Sequence, residues 1–164
     1  MKMDAAPIFH DTEALARHLT RRPKSRVVLA NGCFDPIHVG HIRYLEGARE
    51  CGDFLVVALN NDSSTRALKG DGRPVVGEAD RARLLAGVRA VDAILLFGEP
   101  DVSGILNALR PACHAKGTDY TVETVPELET STRLGIETVI VGDPKSHASS
   151  DVVKSLRRGK GEAT

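Results

Sequence analysis

Two histidines three residues apart, His38 and His41, stand where an apolar run gives way to an amphipathic one. Arg26-Val27-Val28-Leu29-Ala30 leads into Asn31-Gly32-Cys33-Phe34-Asp35-Pro36-Ile37-His38-Val39-Gly40-His41, and Ile42 to Cys51 leads out. The pattern predicts a strand, a tight Gly-containing turn, and a helix that opens on the histidines. Positions i and i+3 share a helix face. A helix N-terminus carries free N–H groups and the positive end of the dipole, so it favours anions. Two imidazoles at such a point suit a phosphate whose negative charge grows during a reaction.

Two blander readings compete. Cys33, His38 and His41 are all zinc-binding types, but no Cys-x-x-Cys or further His cluster lies nearby in sequence to complete a site. The histidines could also be unrelated surface residues. Gly32 and Gly40 argue against that, because a Gly-rich strand-to-helix turn is where backbone approaches a ligand closely. Cys33 reads as a small apolar filler rather than a nucleophile.

The elements that position this segment follow from the apolar periodicity. Strands are predicted at 26–30, 54–59, 93–97, 113–115 and 137–141. Helices are predicted from Asp11 or Thr12 to Leu19, from His38 to Cys51, and at 78–90, 102–109, 126–135 and 151–158. Residues 60–77 read as a mobile, polar, Gly-rich loop around a short helical turn, and residues 1–9 and 159–164 as loose ends. Alternating strands and helices with continuous apolar strands predict an α/β domain with a parallel, doubly wound, five-stranded sheet. Ligands in such sheets sit at the carboxyl ends of the strands, at a switch in strand order. Residues 31–41, 60–62, 97–99, 116–120 and 142–150 should therefore gather at one rim.

Gly-x-Phe-Asp-x-x-His-x-Gly-His, complete from Gly32 to His41, resembles the signature of the cytidylyltransferase-like nucleotidyltransferases. Leu68-Lys69-Gly70-Asp71-Gly72-Arg73-Pro74-Val75 is similar to a segment of the bacterial heptose 1-phosphate adenylyltransferases within that family. Asp80-Arg81, Val91-Asp92 and Lys116-Gly117-Thr118-Asp119-Tyr120 fall where that subfamily has related residues. The resemblance spans about residues 25–157, so the chain reads as a single Rossmann-like domain over 1–164.

The resemblance implies a transfer of a nucleoside monophosphate, AMP from ATP, to a phosphorylated sugar, with release of pyrophosphate and no covalent enzyme intermediate. It implies that His38, His41 and Lys69 act on the phosphates. Asn31, Gly32, Phe34, Gly40, Lys116, Gly117, Asp119, Ser149 and Ser150 would hold the nucleotide. Asp35, Asn60, Asp62 and Arg73 would lie on the acceptor side, with Asp35 more a shaper of the turn than a base. Arg81 matches a subfamily arginine, but Arg83 and Arg89 share its helix and a surface role is as good a reading. Mg²⁺ should accompany the triphosphate through phosphate oxygens and water, without a protein cage. Relatives of this fold are commonly dimers, and Leu15 with Leu19 offers an apolar helix face for one. The C-terminal segment departs from the family: Ala148-Ser149-Ser150 replaces Ser-Thr-Thr, and Lys145 stands in for an arginine. A cytidylyltransferase acting on glycerol 3-phosphate, and a nucleotide-binding regulatory module without turnover, remain open.

Composition narrows the partners. Lys and Arg together number 22, as do Asp and Glu, so the zero net charge supports neither broad nucleic-acid binding nor an anionic membrane surface. No apolar run approaches the roughly 18–20 residues of a membrane span. Residues 1–11 lack the apolar core of a signal peptide. Three cysteines without short pairing motifs fit reduced thiols in a cytoplasm.

Overall fold

The computed structural model describes residues 4–144 and 149–158. Six parallel strands form one sheet: β1 (Ile8–Phe9), β2 (Val27–Gly32), β3 (Phe54–Asn60), β4 (Ala93–Phe97), β5 (Cys113–Gly117) and β6 (Glu137–Val141). Their spatial order is β1-β4-β3-β2-β5-β6. Helices α1 (Thr12–Thr20), α2 (Val39–Glu50), α3 (Asp62–Lys69), α4 (Glu78–Ala86), α5 (Ser103–Leu109), α6 (Leu128–Leu134) and α7 (Ser149–Arg158) connect or follow them.

The centre of the sheet is buried from both sides because its strands carry continuous apolar runs, Phe54 to Leu59 in β3 and Ala93 to Phe97 in β4. All seven residues of β3 are buried. Val28, Ala30, Leu55, Val57 and Ile94 face one layer with Leu45 of α2 and Leu85 of α4. Leu29, Val56, Ala58 and Leu95 face the other, with Leu15 of α1 and Ile105 and Leu106 of α5. Alternate residues of one strand thus feed opposite cores. The chain winds from β2 through β3 to β4, then jumps to the far side of β2 for β5 and β6. The order reverses between β2 and β5, and their carboxyl ends are where a crevice must open.

Three expectations are corrected. The sheet has six strands, not five: Ile8 and Phe9, expected to be loose, pair with Ile94 and Leu95. A two-residue strand is too short to show a period; it is held by its edge position and by Ala6 N–H donating to Ala86 C=O at 3.1 Å. The segment expected as a loop contains the two-turn helix α3. Its polar residues are helix-compatible because rim groups satisfy them: the Asn61 side chain caps Ser64 N–H at 2.9 Å, and buried Thr65 donates to Asn60 C=O at 3.4 Å. Finally, Leu15 is fully buried and Leu19 packs on the same intrachain cluster, so the α1 face expected at a dimer interface is already occupied. The tail 159–164 lies outside the described residues.

The turn after β2 is tied to distant chain by buried charge. Asp35 is 1% exposed and accepts from Arg73 Nε at 2.8 Å, Val75 N–H at 2.7 Å and Val76 N–H at 2.8 Å. Burial alone would raise its pKa, but these donors outweigh it and hold the carboxyl below its ordinary value. Arg81, also 1% exposed, donates to the carbonyls of Val76, Cys33 and Asn60 and to Asp62 Oδ1, all at 2.7–2.8 Å. One guanidinium therefore pins the turn, the end of β3 and the segment before α4. Arg81→Met removes the donors and strands three carbonyls, so we expect a loss of about 3–5 kcal/mol in urea unfolding. Arg83→Met, at an exposed position of the same helix, should change stability by less than about 0.5 kcal/mol. Equal effects of the two would contradict the clamp.

Candidate active site

A cavity of about 430 Å³ opens at the carboxyl ends of β2, β5 and β6. Its formation begins with a phenol. The pairing of β2 with β5 ends at Ala30 and Ala115, and beyond it the Tyr44 hydroxyl stands between the two strands. That hydroxyl accepts from Asn31 N–H at 3.3 Å and donates to Ala115 C=O at 2.7 Å. Burial first of all holds the phenol above its ordinary pKa, so the O–H stays available. The strand ends are satisfied without closing on each other, and Asn31 and Lys116 line the cavity beyond them.

The β2–α2 turn supplies the floor. Phe34 takes a left-handed backbone, φ 49°, which costs a non-Gly residue free energy and is held by ring packing: Phe34 is 3% exposed, 5.0 Å from the His41 ring and 6.4 Å from Tyr44. A Cβ on Gly32 would meet that ring at 3.2 Å, so glycine lets the ring lie against β2. His38 is the N-cap of α2. Its Nδ1 accepts from Gly40 N–H at 3.1 Å, and His41 Nδ1 accepts from His38 N–H at 3.3 Å. The two rings stack with centroids 3.9 Å apart.

This capping fixes the chemistry of both imidazoles. A nitrogen that accepts a backbone N–H carries no proton, so each neutral ring bears its proton on Nε2. Burial, then His38, then Lys69 press the His41 pKa down to about 3, which keeps that ring neutral. Both rings line the cavity. The pair is thus built to donate from Nε2 at the positive end of a twelve-residue helix. Among the described residues no group of three or more His, Cys, Asp or Glu is placed to hold a metal.

Asn31, Gly32, Phe34, His38, Gly40, His41, Asn60, Lys69, Lys116, Gly117, Asp119 and Ser150 are brought together around this cavity. Lys69, the last residue of α3, is exposed at its edge. Lys116 is buried beneath it, 3.9 Å from Glu127 Oε2 and 4.5 Å from the Tyr120 ring centroid. Burial lowers its pKa, and Glu127 opposes that. Asp35, Asp62 and Arg73 do not line the cavity. Asp35 and Arg73 are spent on each other, and Asp62 on Arg81. Ser149 opens α7, though nothing of its side chain is described; Lys145 and Ala148 lie outside the described residues.

Sequence reasoning missed Tyr44 and His114 and left Arg81 undecided. Tyr44 sits three residues beyond His41 on the same helix face, and His114 two before Lys116 on the same strand face. Those spacings were the available signals. His114 is fully buried, with Nε2 3.0 Å from Asn31 Oδ1, and burial followed by Lys116 brings its pKa to about 3.

A family model described as cytidylyltransferase-like matches residues 29–154, and the chain belongs to that family. It is 43% identical over 136 residues to the bifunctional protein HldE of Methylobacillus flagellatus, covering 83% of this chain and 28% of that protein. It is 53% identical over 105 residues to HldE of Koribacter versatilis, covering 64% of this chain and 22% of that one. The chain therefore spans less than a third of the length of these relatives. A lipopolysaccharide core biosynthesis protein of Thermoplasma volcanium superposes with a TM-score of 0.63 at 27% identity, covering 74% of this chain and 99% of that one. Pantothenate synthetase of Thermus thermophilus shares the fold, with a TM-score of 0.65 at 18% identity over 93% of this chain and 70% of that one. Among the described residues no helix is long and apolar enough to cross a membrane.

The buried neutral histidines give stability a definite pH dependence. Burial above all holds the pKa of His41 and of His114 down to about 3 in the folded chain, against an ordinary 6.5 in the unfolded one. Between those values the unfolded chain binds more protons, so stability is full above about pH 6.5 and is lost as pH falls toward 3. Asp35, with its lowered pKa, adds a loss in the same direction at still lower pH. The urea midpoint should fall from pH 7 to pH 5, and His114→Gln should flatten the slope. Equal midpoints at the two pH values would contradict neutral burial.

Proposed function

We infer that the chain is a nucleotidyltransferase that moves AMP from ATP to a sugar phosphate, heptose 1-phosphate being the favoured acceptor, and releases pyrophosphate. The observation that carries this reading is the stacked imidazole pair at a helix N-terminus, each ring with Nδ1 accepting a backbone N–H and so with its proton on Nε2. The family membership, the similarity to HldE proteins and the Leu68–Val75 segment support it.

An acceptor phosphate oxygen attacks the α-phosphorus in line. The bond to the bridging oxygen breaks, and its electron pair leaves with pyrophosphate. No protein nucleophile is needed, and positioning with charge stabilisation does the catalysis. The Nε2–H groups of His38 and His41 donate to α-phosphate oxygens as phosphorus becomes five-coordinate. Lys69 approaches the triphosphate from the edge and Lys116 from beneath. Mg²⁺ suits a site of this donor set when carried by phosphate oxygens and water: the cavity carboxylates are Asp119 and Asp143, and Asp143 is paired with Arg43 at 3.3 Å.

Pyrophosphate release from ATP, CTP, GTP and UTP against heptose 1-phosphate and glycerol 3-phosphate tests the reading. ATP with heptose 1-phosphate should give the highest kcat/KM; a preference for CTP with glycerol 3-phosphate would replace it by the cytidylyl alternative, and no release from any pair would reject transfer. His41→Ala should keep ATP binding and lose about a hundred- to thousandfold in kcat, as should His38→Ala. The double variant should lose less than the product of the two. Lys69→Ala should lower kcat more than ATP affinity, since the exposed lysine at the end of α3 precedes Gly70 at φ 92°, a point where the edge can close. An unchanged kcat would remove Lys69 from the site.

A further inference from the structure

Asn31, near the end of β2, lines the cavity, and the two side chains that meet its carboxamide, His114 and Lys116, both come from β5. Its Oδ1 lies 3.0 Å from His114 Nε2 and 3.5 Å from Lys116 Nζ. An ammonium is a donor only, so the atom turned to Lys116 must be the oxygen. That choice decides the imidazole. With an oxygen opposite it, His114 Nε2 must carry the proton, and Nδ1 is then a bare lone pair. Nδ1 is buried and has no hydrogen-bond partner among the described residues. A second proton there would find no acceptor, which agrees with a ring that stays neutral. The Asn31 backbone is fixed as well, by its N–H to the Tyr44 hydroxyl at 3.3 Å.

Once Oδ1 is turned inward, the Nδ2 hydrogens are the half of the amide left for the cavity that Asn31 lines. We propose that His114 is a positioning residue: with Lys116 it locks the Asn31 carboxamide so that its NH₂ faces the cavity and donates to an oxygen of the bound triphosphate. The proposal rests on reading this cavity as a triphosphate site. It assigns a role to a fully buried histidine that touches no ligand. The logic is that of a supporting group that orients a contacting one. A rotated Asn31 would present its oxygen to the phosphate and repel it.

Affinity for ATP with Mg²⁺, measured by calorimetry, tests the lock without requiring turnover. Asn31→Ala loses one hydrogen bond to a charged group and should weaken ATP by about ten- to hundredfold. Asn31→Asp should be weaker still, because one oxygen satisfies His114 and Lys116 while the other meets the phosphate. His114→Phe keeps the ring but not the donor, and should weaken ATP in the Asn31 background while adding no loss on top of Asn31→Ala. His114→Gln, whose amide nitrogen can occupy the place of Nε2, should restore affinity. A merely structural histidine would lower the melting temperature alike in both backgrounds without this coupling.

Equal losses from His114→Phe with and without Asn31 would overturn the proposal. So would Asn31→Asp binding ATP as well as Asn31→Ala, a comparison that holds even if the phenylalanine variant fails to fold. Wild-type protein that binds ATP but releases no pyrophosphate would reject the transfer reading and leave this one to be decided by the affinities. Wild-type protein that binds no triphosphate would reject both.

Discussion

The separation of β2 from β5 beyond Ala30 and Ala115 is the constraint on which the rest of the site depends. A parallel sheet left to itself continues its ladder to the strand ends. Here one phenol oxygen serves both edges, accepting from Asn31 and donating to Ala115. The strands are satisfied and still apart, which no apolar residue at position 44 could achieve, because two buried backbone groups would then lack partners. The same helix that brings Tyr44 to the gap begins with His38 and His41. The opening of the cavity and the placing of its imidazoles are therefore consequences of one rigid element.

Around that opening the chain uses buried charge as a frame. Asp35 and Arg81 hold no position on the cavity wall, yet between them they join residues from the turn, β3 and the segment before α4. Buried ions are poor sources of net stability, since desolvation consumes much of what the pairing supplies. Their contribution is geometric. A carboxylate with three donors and a guanidinium with four acceptors tolerate few arrangements, and the rim segments inherit that restriction.

How much of this was legible in the sequence follows from range. The strand–turn–helix at residues 26–51 was readable because its signals are local: an apolar run, glycines, and histidines at helical spacing. The parallel sheet was readable because its central strands carry continuous apolar runs. Asp35 was readable as a shaper of the turn, but that it and Arg73 stand off the cavity wall was not. Each looks like a polar rim residue, and only a partner 38 positions away shows that it is spent. Arg81 is one of three arginines on or just after its helix, and periodicity cannot tell which meets carbonyls from two other elements. For His114 the spacing from Lys116 gave its strand face, but its partner Asn31, 83 residues distant, left no local signal. Helix α3 was foreseen only as a short turn because Ser63, Ser64 and Thr65 have loop-like composition, and their helicity depends on Asn60 and Asn61, at and just after the end of β3.

The imidazole pair shows why position and charge must be supplied by different residues here. Protonating His38 or His41 would put a hydrogen on Nδ1, against the N–H of Gly40 or of His38, and would undo the start of α2. The rings can therefore be placed accurately only while they are neutral, and neutrality limits what they offer a polyanion to hydrogen bonds. The positive charge has to come from elsewhere. Exposed Lys69 and buried Lys116 line the same cavity, and the helix N-terminus adds its dipole without any ionisable group. Such a division suits a reaction whose charge shifts from the α-phosphoryl oxygens to the departing pyrophosphate. In the proposed transfer the fixed donors would meet the first, and the exposed Lys69 would follow the second.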